Sequence, residues 1–180
     1  MEDRRVAKTK KAIKKVFLEL LKDKNLNKIS VAELSREADL GRGTFYLHYT
    51  DVYDLYNQIE DELYSDLVRI FDETYPDCNA DLMQLTETIT KYIVENKDIF
   101  LLLISSDADG KPMRKLKEIF CNKLLQKEYV PTVSKFEEIE SLYIVSGVIG
   151  VLEGWISTGL EMPQKEIAGI LCKILSYSII

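Results

Sequence analysis

The fold of this chain is decided between residues 29 and 49, where the sequence reads ISVAELSREADLGRGTFYLHY. Ser30 and Glu33 have the spacing of a capping box, in which the Ser30 hydroxyl accepts from the Glu33 amide and the Glu33 side chain reaches back to the Ser30 amide. This spacing predicts a short helix that begins at Val31.

A second short helix is predicted after a three-residue turn. The turn is Asp39-Leu40-Gly41, because Asp and Gly tolerate turn dihedrals, and we expect the next helix to run from Arg42 to Tyr49. Two short helices joined in this way are typical of a helix-turn-helix unit. A DNA major groove about 12 Å wide admits one α-helix, and a second helix braced across it holds the angle of the first. The segment therefore predicts DNA binding.

One face of this second helix is predicted to meet DNA. Phe45 and Tyr49 lie four residues apart and are expected to face the core. The helical wheel then places Gly43, Thr44, Leu47 and His48 on the outward face, with Arg42 and Tyr46 at its edges. The small residues allow close approach to DNA, and Thr44 and Leu47 can contact base edges or thymine methyl groups. Arg42, Tyr46 and His48 can donate hydrogen bonds to bases or phosphates. Core packing is the alternative role for Tyr46 and for His48, the one histidine of the chain.

Positive charge is concentrated before this motif. Residues 1–50 carry 12 Lys and Arg against 7 Asp and Glu, and residues 51–180 carry 12 against 23, which together give the net charge of −6. Seven basic residues and no acidic one lie between Arg4 and Lys15, on a helix predicted from Arg5 to Lys24. A solvated helix face would explain such a run, but beside a helix-turn-helix it predicts phosphate contacts, which we assign to Lys8, Lys10 and Lys11.

The rest of the chain is predicted to be helical as well. Its 180 residues include only 8 Gly and 4 Pro, and the prolines fall where helical patterns break. We expect an all-α fold of about nine helices, with a three-helix DNA-binding domain over residues 1–50 and a larger helical domain over residues 51–180. The later helices are expected near residues 51–73, 80–96, 98–105, 111–129, 135–158 and 164–179.

Composition excludes several classes of protein. The longest apolar run, Ile99 to Ile104, is far below the roughly 20 residues that span a bilayer, and the N-terminus lacks the apolar region of a secretory signal, so we expect a cytoplasmic protein. Cys78, Cys121 and Cys172 are too widely spaced for a zinc knuckle and are expected to be reduced. No metal site, cofactor motif, P-loop, GxSxG or HExxH pattern is found, so an enzyme is not expected.

The segment from about Arg5 to Leu63 resembles the TetR/AcrR family of bacterial transcriptional regulators, and residues 29–49 are similar to the DNA-binding signature of that family. The resemblance implies a small DNA-binding domain, followed by a larger helical domain that dimerises through its last two long helices and often holds a small-molecule pocket. It implies DNA contacts at the cap of the second helix and along the third, here at Ser30, Arg42, Gly43, Thr44, Tyr46 and His48.

This sequence departs from the family pattern at several positions. Asp39 stands at a turn position usually held by Gly, Ser35 replaces a small Ala, Gly41 replaces a capping Ser, and Leu47 replaces an aromatic residue. Val52 occupies a position where the family commonly has a phosphate-binding Lys. The loss of one phosphate contact is expected to weaken binding and to lower the salt slope by about one.

The larger domain offers candidates for a pocket and for an interface. Pocket candidates, which equally suit ordinary core, are Tyr64, Phe71, Met83, Tyr92, Phe100, Phe120 and Trp155. The helix over residues 135–158 is apolar on all sides, with Leu142, Val145, Ile149 and Ile156 on one side and Tyr143, Val151 and Trp155 towards another. Such a helix needs a second partner. We expect a second copy of the chain, contacted through Tyr143, Gly147, Gly150, Val151 and Gly154; a helix of the same chain is the alternative.

Two classes of function remain. In the first, the protein is a homodimeric, sequence-specific regulator of pseudo-palindromic, double-stranded operator DNA, either a repressor controlled by a small-molecule effector or partner, or an activator without such a ligand. In the second, it is a helical enzyme with an incidental basic arm. The missing catalytic motifs favour the first class.

Overall fold

The computed structural model of the protein describes residues 4–76, 80–105, 111–127 and 134–178. All regular structure in these ranges is helical, which confirms the predicted all-α fold. The described helices are α1 (Arg4–Asp23), a 3-10 helix (Leu26–Lys28), α2 (Val31–Glu37), α3 (Arg42–Tyr46), α4 (Val52–Thr74), α5 (Leu82–Glu95), α6 (Lys97–Ser105), α7 (Lys111–Lys127), α8 (Lys135–Ser157) and α9 (Gln164–Ser178).

The chain divides into two compact units, Met1–Leu63 and Tyr64–Ile180. α4 is one continuous helix that begins in the first unit and ends in the second. The domain boundary expected after residue 50 therefore falls just before α4, whereas the first unit also takes in the early turns of this helix. Val52, Leu55 and Ile59 on these turns are buried.

The first unit has a core to which α1, α2, α3 and the start of α4 contribute. Ile13 and Phe17 of α1, Leu34 of α2 and Phe45 of α3 are completely buried. Tyr49 is also buried, as predicted, and its ring centroid lies 5.5 Å from that of Phe45. This core fixes the rotation of α3 and thereby decides which residues of the helix-turn-helix face outward.

The turn of the helix-turn-helix closes α2 with the two hydrogen bonds of a Schellman motif. The Leu40 amide donates to the Ser35 carbonyl at 2.9 Å, and the Asp39 amide donates to the Arg36 carbonyl at 3.1 Å. Asp39 has a φ of 53°, a left-handed conformation that Gly adopts freely and Asp tolerates. The turn predicted at this residue is thus confirmed.

Only one of the two hydrogen bonds predicted for the cap of α2 is present. The Ser30 hydroxyl accepts from the Glu33 amide at 3.2 Å, but the Glu33 side chain makes an ion pair with Lys24 instead of completing a capping box. The hydrogen bond from Lys24 holds the pKa of the Glu33 carboxyl below its usual value. The predicted return bond was wrong because a charged donor competes successfully with a neutral amide.

The second unit contains paired helices around an apolar core. α5 packs along α9, and α7 packs along α8. The side-chain amide of Gln164, at the start of α9, donates to the Thr90 hydroxyl of α5 at 2.8 Å and to the Glu87 carbonyl at 3.1 Å. Buried side chains of this core include Leu67, Phe71, Leu85, Ile93, Phe100, Leu103, Val145, Ile149, Trp155 and Leu171.

Two of the three cysteines lie in this second unit as half-buried, free thiols, Cys121 and Cys172. Burial raises the pKa of the Cys121 thiol, which favours its protonated form. Cys78 lies outside the described residues.

One of the described helices, α8, is long and apolar enough to cross a bilayer by length and composition. A helix that is buried on one side and covered by protein on the other meets the same criteria. The arrangement of the side chains around α8 therefore decides what the helix does.

Candidate nucleic-acid interface and ligand cavity

The outward face of α3 is polar, small and partly apolar. Phe45 points into the core, whereas the side chains of Tyr46 and Leu47 are 57% and 79% exposed. Arg42 and Gly43 are exposed as well, and Thr44 is half-buried. This distribution agrees with the face expected from the helical wheel and leaves two large apolar side chains in water.

The helix ends earlier than predicted. α3 stops at Tyr46 and Leu47 is its C-cap, because the next amide, that of His48, donates to the Phe45 carbonyl at 2.9 Å and tightens the last turn. His48 is half-buried, and its ring centroid lies 6.3 Å from that of Tyr49. The helix-turn-helix thus presents a recognition helix that is shorter than the sequence pattern predicted.

Gly43 makes the face of α3 accessible to a close-fitting surface. A Cβ atom added at Gly43 would meet no atom within 4 Å, so packing inside the unit does not require glycine here. Its absence of a side chain instead lets an outside surface approach the α3 backbone. A phosphate or base edge needs such an approach to reach backbone donors and short side chains.

The start of α4 carries negative charge, from Asp51 just before the helix and Asp54 in its first turn. Asp51 accepts from the amides of Tyr53 and Asp54, each at 2.8 Å, and the Asp54 carboxylate accepts from the Thr50 amide at 2.8 Å. The bond from the Thr50 amide holds the pKa of the Asp54 carboxyl below its usual range. These carboxylates use the amides at the helix start that could otherwise hold a phosphate.

The residue at the position of the family's phosphate-binding lysine is turned away from solvent. Val52 is buried, so it offers no phosphate contact. Its neighbour Tyr53 is 51% exposed and was not among the predicted contact residues. A β-branched apolar residue followed by an aromatic one at a helix start gives little sign in the sequence of which of the two is buried.

The basic run on α1 separates into paired and unpaired side chains. Lys14 makes an ion pair with Glu62, and Lys15 lies 3.9 Å from Glu19. Lys8 and Lys11 are exposed and have no ion-pair partner in the described part of the chain, while Lys10 is half-buried. Lys8 and Lys11 therefore keep their charge available for an outside anion.

A second site lies inside the second unit, where the core forms a partly open cavity of about 120 Å³. Every helix from α4 to α9 contributes to its lining. Of the seven predicted pocket residues, Phe71, Phe100 and Phe120 line it, and the ring centroids of Phe71 and Phe120 lie 5.4 Å apart. Aliphatic residues of α8, among them Val148 and Leu152, complete the lining and were missed.

The other four predicted pocket residues do not belong to the lining. The Tyr64 hydroxyl donates to the Pro112 carbonyl at 3.1 Å, and the Tyr92 hydroxyl donates to Asp66 at 3.0 Å. The Trp155 indole donates to the Met162 carbonyl at 2.9 Å, and Met83 is 39% exposed. The three polar aromatic tips reach hydrogen-bond partners elsewhere, as buried Tyr and Trp generally do.

A long face of α8 remains uncovered. Its predicted interface residue Tyr143 is 74% exposed, and Val151 is partly exposed. Phe136 and Ile139 extend this face towards the start of the helix. On α9, the exposed apolar side chains are Ile170, Ile174 and Tyr177.

The glycines of α8 lie on exposed positions. A Cβ atom at Gly147, Gly150 or Gly154 would meet nothing within 4 Å, so no helix of the described chain fills the groove that they form. The grouping of side chains expected for α8 needs two corrections. Leu142 is exposed although it was placed with the buried Val145 and Ile149, and Trp155 is buried, because its indole hydrogen bond turns it inward.

The residues that the structure describes contain no cluster of three or more His, Cys, Asp or Glu with the geometry of a metal site.

Comparison with known families gives a match over residues 80–177 to a TetR-type model described as the transcriptional regulator C-terminal region. The chain belongs to the TetR/AcrR family of transcriptional regulators. The match lies within the second unit, whereas the signature between residues 29 and 49 lies in the first. The two assignments therefore rest on different parts of the chain. A comparison with curated protein sequences gives no significant match.

Solved structures with the same fold include other regulators. A TetR transcriptional regulator from Streptococcus agalactiae is 24% identical to this TetR/AcrR-family protein, with 96% of each chain covered and a TM-score of 0.63. The dihydroxyacetone kinase operon activator DhaS is 18% identical over 95% of this chain and 96% of its own, with a TM-score of 0.66. NalD, the secondary repressor of the MexAB-OprM multidrug efflux pump in Pseudomonas aeruginosa, is 16% identical over 96% of this chain and 95% of its own, with a TM-score of 0.72.

As a member of this family, the protein is a DNA-binding transcriptional regulator. The family consists of transcriptional regulators and not of enzymes.

Proposed function

We propose that this chain is a cytoplasmic, homodimeric repressor that binds a pseudo-palindromic operator and releases it when a small molecule occupies the cavity of the second unit. The observation that carries the DNA-binding part is the outward face of α3, where Tyr46 and Leu47 stand in water beside Arg42 and Gly43. The core fixes this face, so its exposure does not reflect loose packing.

The chemistry of α3 suits base reading, and that of α1 suits phosphate. Leu47 offers a methyl-bearing surface for thymine, and Arg42 offers a forked donor for guanine. Lys8, Lys10 and Lys11 offer point charges for the backbone, together with Ser30, His48 and Tyr46. The acidic first turn of α4 would repel phosphate, which supports placing the contacts on α1 and α3.

The exposed face of α8 supports dimerisation. Val145, Ile149 and Ile156 bury one side of this helix in its own unit, which leaves the uncovered side to protein or to lipid. A lipid-facing helix does not need three glycines along its exposed side, whereas a close-packed helix pair does. We therefore assign Tyr143, Gly147, Gly150, Val151 and Gly154, with the exposed residues of α9, to an interface between two copies. A two-fold dimer requires two-fold symmetry in its operator.

The continuity of α4 supports control of DNA binding by a ligand. Leu67 and Phe71 line the cavity, and the same helix continues without a break to Val52 in the first unit. A ligand against Phe71 therefore touches the helix whose other end is part of the DNA-binding unit.

The DNA-binding assignment is tested by gel shift with the DNA that flanks the protein's own gene. Arg42→Ala should cost about 1–3 kcal/mol at particular operator positions and relax the preference there. Lys8→Ala should weaken all duplexes about equally and lower the salt slope by about one. Lys91→Ala, on the exposed surface of α5, is the matched control and should change neither.

A uniform loss of affinity for Arg42→Ala would move Arg42 from base reading to phosphate contact. Wild-type binding that ignores sequence at moderate salt would overturn the proposal. Repression is tested by transcription in vitro from the bound promoter, where added protein should lower the transcript level. A rise in transcript would make the protein an activator.

A further inference from the structure

The lining of the cavity restricts the chemistry of its ligand. Phe71, Phe100 and Phe120 supply aromatic surface, and Val148 and Leu152 of α8 supply aliphatic surface. Among the residues that the structure describes, no Lys, Arg or His belongs to this lining. An anionic ligand would therefore lose its hydration without gaining a cation, which carries a large free-energy cost.

The polar residues among the described lining, Tyr75, Thr86 and Glu153, do not change this conclusion, because the surface of the cavity is almost entirely apolar. The Thr86 hydroxyl donates to the Leu82 and Met83 carbonyls at 3.0 and 3.1 Å, so its proton is already used within α5. Glu153 is the one carboxylate among the described residues of the lining. It is half-exposed, and since almost the whole cavity surface is hydrocarbon, Glu153 contributes methylene groups and not carboxylate oxygens.

The volume of the cavity limits the size of the ligand. An engineered apolar cavity of about 150 Å³ stays free of water and binds benzene. The cavity of this protein, at about 120 Å³, is close to that size and has the same kind of lining. Water would find too few hydrogen-bond partners there to remain.

We infer that the cavity binds a neutral, hydrogen-bond-poor molecule about the size of one aromatic ring or a short alkyl chain. This inference rests on the proposed function for its regulatory meaning and names the chemical class of the effector. It excludes carboxylates, phosphates and protonated amines as ligands of this cavity.

Three probes on the same ring separate these classes, measured by calorimetric titration of the full-length protein. Ethylbenzene is neutral, benzylammonium has nearly the same shape with one positive charge, and benzoate carries a negative charge. Ethylbenzene should bind saturably at one site per protomer, and each charged probe should bind at least about 100-fold more weakly.

The location of binding is tested by filling the cavity. Val148→Phe places a ring where the probe would lie and should abolish ethylbenzene binding. Val94→Phe makes the same change on the exposed surface of α5 and should leave binding intact. If Val148→Phe does not fold, the three-probe comparison on the wild-type protein still decides the question.

Several results would overturn the inference. These are the absence of saturable ethylbenzene binding, its survival in folded Val148→Phe, or tighter binding of benzylammonium that disappears in Glu153→Gln. A gel shift separates the inference from the proposed function. Failure of the apoprotein to bind operator would refute the regulator, whereas ethylbenzene binding without operator release would support the ligand class and refute only the ligand control.

Discussion

Gly150→Glu tests the proposed dimer interface because its effects on the monomer and on the dimer have opposite signs. A side chain at this position would meet no atom within 4 Å in its own chain, so the protomer has room for Glu. Glycine inside a helix is less favourable than Glu by about 0.5–1 kcal/mol. The isolated protomer should therefore become slightly more stable.

The dimer should be lost for an electrostatic reason. If Gly150 faces its symmetry mate, the substitution moves two carboxylates per dimer out of water without a cation to pair them. At about 3 kcal/mol for each buried charge, the dissociation constant should rise by about 10⁴-fold. Operator affinity should fall with it, although no residue assigned to DNA contact has changed.

Sedimentation equilibrium measures this loss, and circular dichroism on heating measures the stability of the protomer. Gln84→Glu adds the same carboxylate on the exposed surface of α5 and should leave both unchanged. A well-folded dimer of unaltered affinity after Gly150→Glu would refute the reasoning and place the interface elsewhere.

The remaining predictions concern the stability of the first unit, measured by urea unfolding. Ser30→Ala should lower the free energy of unfolding by about 1 kcal/mol because it removes the cap of α2. Ser35→Ala should raise it by about 1 kcal/mol because the buried Ser35 hydroxyl has no partner among the described residues. If both substitutions changed stability in the same direction, this reasoning would be wrong. Asp39→Gly should stabilise by up to about 1 kcal/mol by relieving a positive φ, and Asp39→Val should destabilise. Asp54→Asn should lower stability at pH 7. The stability contributed by the ionised Asp54 carboxylate is present above its unfolded-state pKa of about 3.9 and is lost as pH falls through its lower folded-state pKa. The difference in stability between wild type and Asp54→Asn should therefore shrink by pH 3. A difference that stayed constant down to pH 3 would contradict the role given to Asp54.

Helix positions could be predicted from the sequence because their signals are local. Proline and turn residues stand between the apolar stripes, and the start of α2 follows from Ser30 alone. The errors arose where a distant residue competed with a local one. Lys24 took the Glu33 side chain that a capping box would have used, and no short-range pattern contains that ion pair.

The same contrast between local and distant contacts explains why one candidate site could be predicted better than the other. The outward face of α3 follows from the period of one helix once Phe45 is placed in the core. The cavity depends on where six helices converge, and its residues share no period. Choosing aromatic residues found Phe71, Phe100 and Phe120, but it also selected Tyr64, whose hydroxyl binds the Pro112 carbonyl, and it missed the aliphatic side of α8.

The different faces of α8 connect the two proposals about the second unit. Val148 lines the cavity, while Gly150 and Val151 lie on the exposed side of the same helix. A ligand at Val148 could shift α8 and thereby raise the dimer dissociation constant. Linkage then requires the dimer to bind that ligand more weakly than two monomers do, by the same free energy that dimerisation loses. Ethylbenzene affinity should then fall as the protein concentration is raised through the dimer dissociation constant. An affinity that stays constant across that range would mean that the two faces of α8 are energetically independent, and that any control of DNA binding passes through Phe71 and α4 instead.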